Sequence, residues 1–451
     1  MKPKLFGSSG IRGLANIDIT SQLAQRVGAA LATLHRGSTT IIGRDTRLTG
    51  PMLEAALSSG INSVGGDVIQ IGIVPTPVTA WMIHETGSKS GVSITASHNP
   101  PPYNGLKVFN DVGVSLTVEE QLQLEDVLEN ERYQYVDWNR VGVVEEYYAI
   151  DHYVNMLIET IETASELKVG LDCFCGATST LAPIAFKEFQ LETKIINALP
   201  DGKFPAGNPE PTSQSLRRLG KYMKSTGCDI GFGFDGDGDR MMPVGADGRM
   251  INPDRALAAY AGYIVERNQG GTVVTHVGAS MNIDEKVKEA GGNIVRTPVG
   301  DAYITEAMMK HDAVFGGEPV GAWVFPEHHK CPAGVMGALK VLEALSYLEQ
   351  TLEEFIQETP VYPLSRAKLE CHEKKKTTAM KEVKKKYMNV FRDVNSVSTV
   401  DGVRLELDSG LVLIRPSGTE PLIRITVEGK TSEDVENIMR QSIQLVKQVI
   451  G

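Results

Sequence analysis

The sequence predicts an α/β protein, with three units of similar size built from alternating strands and helices and a smaller α+β domain at the end. Two observations carry this. Short apolar runs alternate with helix-period segments through the first three quarters of the 451 residues, the pattern of strand–helix–strand layers with mainly parallel sheets. Beyond a proline-marked linker, Thr359-Pro360-Val361-Tyr362-Pro363, the character changes to a lysine-rich stretch, three strands and a terminal helix. The length asks for two to four domains, because it exceeds what one ordinary core encloses.

In chain order, a helix is predicted over about 20–35, a strand at 40–43, a helix at 51–63, and strands at 68–71 and 92–94. The alternation returns with strands at 168–171, 193–196 and 230–234, and again at 272–275, 294–296 and 313–315. The turn Ala246-Asp247-Gly248-Arg249 closes one unit before a helix around 254–267. After the linker come strands near 403–407, 411–415 and 423–428. The domains are therefore drawn at 1–148, 149–249, 250–360 and 361–451. The lysines at 374–376 and 384–386 are interleaved with Val383, Tyr387 and acidic residues, the mark of a solvated amphipathic helix rather than a polyanion site.

A net charge of −11 excludes a general nucleic-acid binder, whose footprint is basic. It leaves room for an anionic substrate if arginines concentrate locally. The five cysteines, Cys173, Cys175, Cys228, Cys331 and Cys371, follow no disulfide or zinc framework, so a reducing, cytoplasmic setting is expected. No signal-type apolar region follows Lys2-Pro3-Lys4-Leu5, and no 18-residue apolar run exists, so no membrane partner is expected.

Four segments carry chemistry. In Thr95-Ala96-Ser97-His98-Asn99-Pro100, an apolar run delivers Ser97 into a segment where three prolines (100–102) stop any helix or central strand. Ser97 is expected on a constrained, exposed loop, and the Gly-x-Ser-x-Gly elbow of a lipase is missing. Asp235-Gly236-Asp237-Gly238-Asp239-Arg240 follows the strand 230–234. Carboxylates at alternate positions, with glycines that let the backbone curl, can converge on one hard cation, and all-oxygen ligation favours magnesium. An acidic surface turn is the alternative, although such turns seldom sit directly behind an apolar strand. Two overlapping patterns fail: the Gly231-x-Gly233-x-x-Gly236 dinucleotide fingerprint would set carboxylates against a pyrophosphate, and an EF-hand would need glycine at Arg240 and glutamate at Ala246.

Arg415-Pro416-Ser417-Gly418-Thr419-Glu420-Pro421 lies between two strands and offers a guanidinium, two hydroxyls and a flexible backbone to a phosphate, with Arg424 nearby. A plain hairpin needs no such density of donors. Thr431 and Asp434 read as a helix capping box rather than the end of a P-loop. At the N-terminus, Arg12 in Phe6-Gly7-Ser8-Ser9-Gly10-Ile11-Arg12-Gly13 would neutralise charge near a phosphoserine. The pair Arg44 and Arg47 in Gly43-Arg44-Asp45-Thr46-Arg47 reads as a turn with a surface ion pair. Lys107 is a general acid/base if burial or neighbouring cations lower its pKa, and otherwise a solvated strand-end lysine. Gly300, Asp301 and Glu318 fall at strand ends, where α/β sheets place ligand-reading loops. His328, His329 and Cys331 read as a loop with partly exposed histidines rather than a metal site.

In order and spacing these segments resemble the α-D-phosphohexomutase superfamily over essentially the whole chain: the serine loop at Ser97, the metal loop Asp235 to Arg240, the sugar loop Gly316-Gly317-Glu318 and the phosphate loop Arg415 to Pro421. The resemblance implies three α/β mixed-sheet domains and a smaller fourth around a central cleft. It implies a reversible 1,6-phosphoryl shift in which phosphorylated Ser97 forms a hexose 1,6-bisphosphate intermediate, glucose or glucosamine 1,6-bisphosphate serving as activator. By the same resemblance one Mg²⁺ per chain binds Ser97, Asp235, Asp237 and Asp239; Arg12, Arg240, His98 and Lys107 serve the catalytic step; Glu318, Gly300 and Asp301 read the sugar. Arg415, Ser417, Gly418, Thr419 and Arg424 grip the phosphate that is not reacting. The family's sugar loop commonly reads Gly-Glu-x-Ser-Gly-His, whereas this chain has Val320 for the serine and Ala322 for the histidine. The departure bears on sugar choice more than on phosphoryl chemistry. Glucosamine phosphate is the expected substrate, mannose or glucose phosphate the alternative, and a bisphosphate-dependent phosphatase or a silent sugar-phosphate regulator the readings from other classes. A monomer or homodimer is expected.

Overall fold

Each of the first three sheets has a parallel centre and an antiparallel edge. The computed structural model describes residues 3–7, 10–162, 166–417 and 420–450. In the first sheet the strands lie in the order Ile11–Leu14, Tyr103–Phe109, Ser90–Ile94, Thr40–Arg44, Val68–Ile73, Val144–Glu146. The first two junctions are antiparallel and the remaining three parallel. The second sheet runs Met241–Val244, Ile230–Phe234, Val169–Asp172, Thr193–Ile196, and the third Asn293–Thr297, Thr272–His276, Phe315–Gly317, Trp323–Val324. In both, one antiparallel hairpin closes the edge. The fourth sheet is antiparallel throughout, with Leu364–Glu370 beside Leu422–Gly429 at one end. The expectation of α/β units followed by a different, smaller domain holds.

Local sequence accounts for the elements. The helix Ser21–Leu34 starts at Thr20, whose Oγ1 accepts from Leu23 N, and crosses Gly50–Ser63 closely. A Cβ on Gly28 would lie 2.3 Å from Leu57 O, and one on Gly60 would lie 2.0 Å from Gln25 O, so the crossing depends on both glycines. The predicted strand at 313–315 is displaced to Phe315–Gly317. The helix Asp301–His311 ends on Asp312 in the left-handed region, and the Ala313 amide still bonds back to Met308 O, so the chain extends two residues late. Glu373–Lys386 is the predicted lysine-rich helix, and the Thr431–Asp434 capping box forms in both directions.

One apolar core runs from Ile41 and Val78 through Tyr153 and Leu171 to Tyr260 and Leu339, joining the first three domains, with Trp81 edge-on to Tyr153 at 5.5 Å. The fourth domain encloses its own core around Val383, Ile414, Ile425 and Leu445. The shared core fixes the loops at the strand ends of the first three domains against one another. No helix among the described residues is long and apolar enough to cross a membrane.

Candidate active site

Ser97 is not exposed: it is fully buried, at a φ of 49°. The proline-rich segment does form a loop, but the metal loop covers it. Gly236 lies so close that a Cβ there would meet Ser97 O at 2.5 Å. A non-glycine residue in this region costs roughly 1–3 kcal/mol and persists only where the surroundings over-determine it. Here they do. Thr95 Oγ1 accepts from Ser97 N at 2.8 Å, and Arg47 donates to Ser97 O, Asn99 O, Pro100 O and Tyr103 O at 2.7–2.8 Å. Arg47 is itself held by Asp45 at 2.9 Å and covered by the Phe204 ring.

Arg47 therefore shapes the serine loop rather than making a surface ion pair, a role that sequence reading missed. Its only signal was two charges beside a strand end. Arg47→Ala is expected to cost about 3–5 kcal/mol, the penalty for opening a buried ion pair. The effect should be read as faster hydrogen exchange across residues 95–103 than elsewhere. Lysine, with one ammonium, cannot serve four carbonyls and a carboxylate, so Arg47→Lys should not restore protection. Unchanged exchange in Arg47→Ala would contradict the assignment.

Ser97 Oγ donates to Asp235 Oδ2 at 2.6 Å, and its other neighbour is His98 Nδ1 at 3.3 Å. Asp235, Asp237 and Asp239 are all buried, each offering a ligand oxygen within 4.8 Å of the others; no other such group exists among the described residues. Thr76 Oγ1 donates to Asp237 Oδ2, while Asp237 Oδ1 and Asp239 Oδ1 have no hydrogen-bond partner. Burial, then Asp237 and Asp239, push Asp235 well above the usual carboxylate range. Orphaned buried carboxylate oxygens facing one point fit a hard divalent cation.

Lys107 is 1% exposed within the strand Tyr103–Phe109, neither solvated nor at a strand end. Nor do cations lower its pKa. Burial is the largest single influence and pulls it down, but Asp239 and Asp301, each 2.8 Å away, outweigh burial and hold the ammonium well above its ordinary value. His98 is pushed down to about 4 by burial, then by Arg240 and Arg12, so its ring is neutral at pH 7. Arg240 N donates to Asp235 Oδ1. The Nε atoms of Arg12, Arg240, Arg415 and Arg424 are buried without a hydrogen-bond partner, as are those of Arg296 and Arg404, and Arg240 Nε lies 3.8 Å from Asp239 Oδ1. Arginines with spare donors in a carboxylate-rich site are anion receptors in waiting.

Gly300 N donates to Glu318 Oε1 at 3.1 Å, which joins two of the predicted sugar-reading positions. Burial, then Asp301, raise Glu318 from 4.5 to about 7. A carboxyl raised on folding contributes stability that is present below pH 4.5 and is lost, by roughly 3 kcal/mol, as pH rises through about 7. Melting temperature measured from pH 5 to 8 should therefore fall more in the wild type than in Glu318→Gln. Parallel curves would refute this.

In the fourth domain Arg415 and Arg424 are directly opposed across two strands, an arrangement unfavourable for like charges without an anion. Their carboxylate partners are Asp401 at 3.1 Å and Glu420 at 2.6 Å. Ser417 is buried, and its carbonyl accepts from Lys376 Nζ at 2.8 Å. Lys376 is thus not on a solvated helix face but buried, supporting the loop. Gly418 and Thr419 lie outside the described residues. Ser97, His98, Lys107, Arg240, the three aspartates, Gly300, Asp301 and Glu318 form one connected group, with Arg12 acting electrostatically on His98 and Asp239. Among the described residues, no hydrogen bond or ion pair joins Arg415, Ser417 or Arg424 to that group. Nor are both histidines at 328 and 329 partly exposed: His328 is half-buried, but His329 is buried and bonded to Tyr153 Oη at 2.8 Å.

Sequence models of the phosphoglucomutase/phosphomannomutase family match in order: α/β/α domain I over residues 3–135, α/β/α domain II over 150–248, α/β/α domain III over 252–362 and the C-terminal domain over 367–444. The chain is 38% identical over 453 residues to the phosphoglucosamine mutase of Methanocaldococcus jannaschii, covering 99% of each chain. It is 41% identical over 448 residues to a protein of Methanosarcina acetivorans named probable phosphoglucosamine mutase, covering 99% of this chain and 100% of that one. A crystal structure of a phosphoglucomutase/phosphomannomutase family protein from Burkholderia thailandensis superposes with a TM-score of 0.88 at 27% identity, covering 98% of this chain and 97% of that one. With every domain matched in order and full-length relatives near 40% identity, the chain is an isomerase acting by phosphoryl transfer and belongs to the phosphoglucomutase/phosphomannomutase family, within the α-D-phosphohexomutases.

Proposed function

We propose that this chain interconverts glucosamine 6-phosphate and glucosamine 1-phosphate through a phosphorylated Ser97 and a 1,6-bisphosphate intermediate. The observation that carries the reading is Ser97 Oγ held 2.6 Å from Asp235 Oδ2, inside a buried carboxylate set with two oxygens that accept no hydrogen bond. Glucosamine is preferred because the full-length relatives bear that name. The four units, 1–148, 149–249, 250–360 and 361–451, each contribute one loop.

In this reading a sugar hydroxyl oxygen attacks the phosphorus on Ser97 as the P–Oγ bond breaks; the sugar gains the phosphoryl group, and the proton it gives up is balanced by the one Ser97 Oγ takes to become a hydroxyl again. The bisphosphate turns over, and Ser97 Oγ takes back the other phosphoryl group. Asp235, Asp237 and Asp239, with Ser97, would hold one Mg²⁺, which would supply positive charge to withdraw electron density from the transferring phosphoryl group. Arg12 and Arg240 place guanidinium charge beside that group. Lys107, kept as an ammonium by Asp239 and Asp301, supplies positive charge and a proton at the same end, and neutral His98 packs against Ser97. Glu318, with Gly300 and Asp301, reads the sugar, while Arg415, Ser417, Gly418, Thr419 and Arg424 hold the second phosphate. Five free, buried cysteines fit a reducing, cytoplasmic compartment.

The test is a coupled assay with Mg²⁺ and a trace of hexose 1,6-bisphosphate across glucosamine, N-acetylglucosamine, glucose and mannose phosphates. Interconversion fastest with glucosamine phosphate is expected. Free phosphate accumulating without isomerisation would replace the mutase with a phosphatase.

A further inference from the structure

The turn that follows Glu318 is short of chemistry. Glu318 N donates to Ala322 O and Gly321 N to Glu318 O, both at 3.0 Å, closing the turn on itself. Pro319, Val320, Gly321 and Ala322 carry no side-chain donor or acceptor. Gly321 cannot be replaced without strain, because its φ is 88° and a Cβ would meet Met241 O at 2.0 Å. Whatever side-chain hydrogen bonds the sugar needs besides Glu318 must come from another element.

That element is the neighbouring strand Thr272–His276. Thr275 Oγ1 donates to Gly317 O at 2.8 Å, tying this strand to the residue before Glu318. The next side chain, His276, has Nε2 3.9 Å from Glu318 Oε1, with 12% of the imidazole exposed. Gly278 N donates to His276 Nδ1 at 3.0 Å. The ring is neutral, because burial, then Arg296 and Arg415, push it down to about 4. With Nδ1 accepting, the proton sits on Nε2, facing Glu318. Arg296 Nη1 grips His276 O at 2.9 Å and fixes the strand end. A gap of 3.9 Å is too long for a direct hydrogen bond. It does let a single oxygen lie about 2.8 Å from both atoms.

We propose that His276 is a specificity-determining residue of the sugar site: its Nε2–H and Glu318 Oε1 together read one sugar hydroxyl, supplying a side-chain contact that the 319–322 turn does not offer. The hydroxyl donates to the carboxylate and accepts from the imidazole. An ammonium has hydrogens but no lone pair and cannot satisfy both, so the pair does not read the amine of a glucosamine. Positions 1 and 6 are taken by phosphate and position 2 by nitrogen, which leaves the 3- or 4-hydroxyl. This assignment rests on the hexose-phosphate reading above.

The experiment is a binding and turnover cycle on the full-length protein, with glucosamine 6-phosphate and its 3-deoxy and 4-deoxy counterparts as probes. Sites built to bond a hydroxyl discriminate strongly against analogues that lack it. His276→Ala is expected to weaken binding of the parent sugar by about ten- to a hundredfold and to leave one of the deoxy compounds bound as the wild type binds it. His276→Gln keeps an N–H near the position of Nε2 and should recover to within about threefold of wild type. Equal weakening of all three compounds would make His276 merely structural and overturn the proposal, as would no weakening at all. If the wild type turns over only another hexose phosphate, the glucosamine reading falls, and the same cycle with that sugar's 3- and 4-deoxy phosphates decides the role of His276.

Discussion

Ser97→Ala should lower interconversion by about a thousandfold or more while leaving the protein folded. The loop does not depend on the hydroxyl for its shape. Its backbone is fixed by Thr95 Oγ1 on Ser97 N and by Arg47 on the carbonyls of 97, 99, 100 and 103, and alanine accepts the same φ of 49° no worse than serine does. The bonds lost are Ser97 Oγ to Asp235 Oδ2 at 2.6 Å and the longer one to His98 Nδ1 at 3.3 Å. Removing a donor from a buried acceptor costs about 1–3 kcal/mol, a modest loss in a chain whose first three domains share a core. The deficit in rate is therefore chemical, because among the described residues no other hydroxyl hydrogen-bonds Asp235. Two measurements settle it: turnover of glucosamine phosphate by wild type and variant, and intact mass after incubation with hexose 1,6-bisphosphate. The wild type should gain the mass of one phosphate and the variant none. A Ser97→Ala protein that turns over normally, or still takes up the phosphate, removes Ser97 from the mechanism.

The fold was legible because its signals are local. Strand–helix alternation, the proline linker and the capping box at Thr431 each depend on neighbours in sequence. So does the aspartate loop, whose three carboxylates lie in one segment. What escaped the sequence depends on segments far apart. Ser97 reads as exposed because its own segment is proline-rich, yet Asp235 and Gly236, more than a hundred residues on, bury it. Lys107 reads as a lysine whose pKa burial or neighbouring cations would lower because the carboxylates that surround it, Asp239 and Asp301, belong to other domains. Arg47 and Lys376 look like surface charges until the carbonyls they serve are brought to them. His276 stands in no motif; only the pairing of Thr272–His276 with Phe315–Gly317 sets it beside Glu318.

Asp237→Asn should make the metal-free protein more stable and nearly inactive. Three carboxylates within 4.8 Å, none more than 5% exposed, repel one another in a poorly solvated site. The rise in Asp235, from burial first and then from its two neighbours, is the mark of that repulsion. Lys107 and Arg240 compensate chiefly Asp239. Asparagine at 237 keeps the volume, and its oxygen can take the Thr76 Oγ1 hydrogen bond that Oδ2 accepts at 2.7 Å. Its amide nitrogen then replaces the unpartnered Oδ1 and offers hydrogens to the neighbouring carboxylates. One negative charge is lost and one orphaned acceptor disappears. The expected gain is about 1–2 kcal/mol, seen as a melting temperature a few degrees higher in the presence of a chelator. The same change removes a ligand oxygen from the set that would hold Mg²⁺, so added Mg²⁺ should raise the melting temperature of the wild type and not of the variant. Interconversion should fall by about a hundredfold or more. A site that trades stability for function has this signature: the variant is the more robust protein without metal and the poorer enzyme with it. If the chelated variant instead melts below the wild type, Asp237 is a structural acceptor for Thr76, and the repulsion account of the triad is wrong. Undiminished protection of the variant by Mg²⁺ would place the ion on other residues.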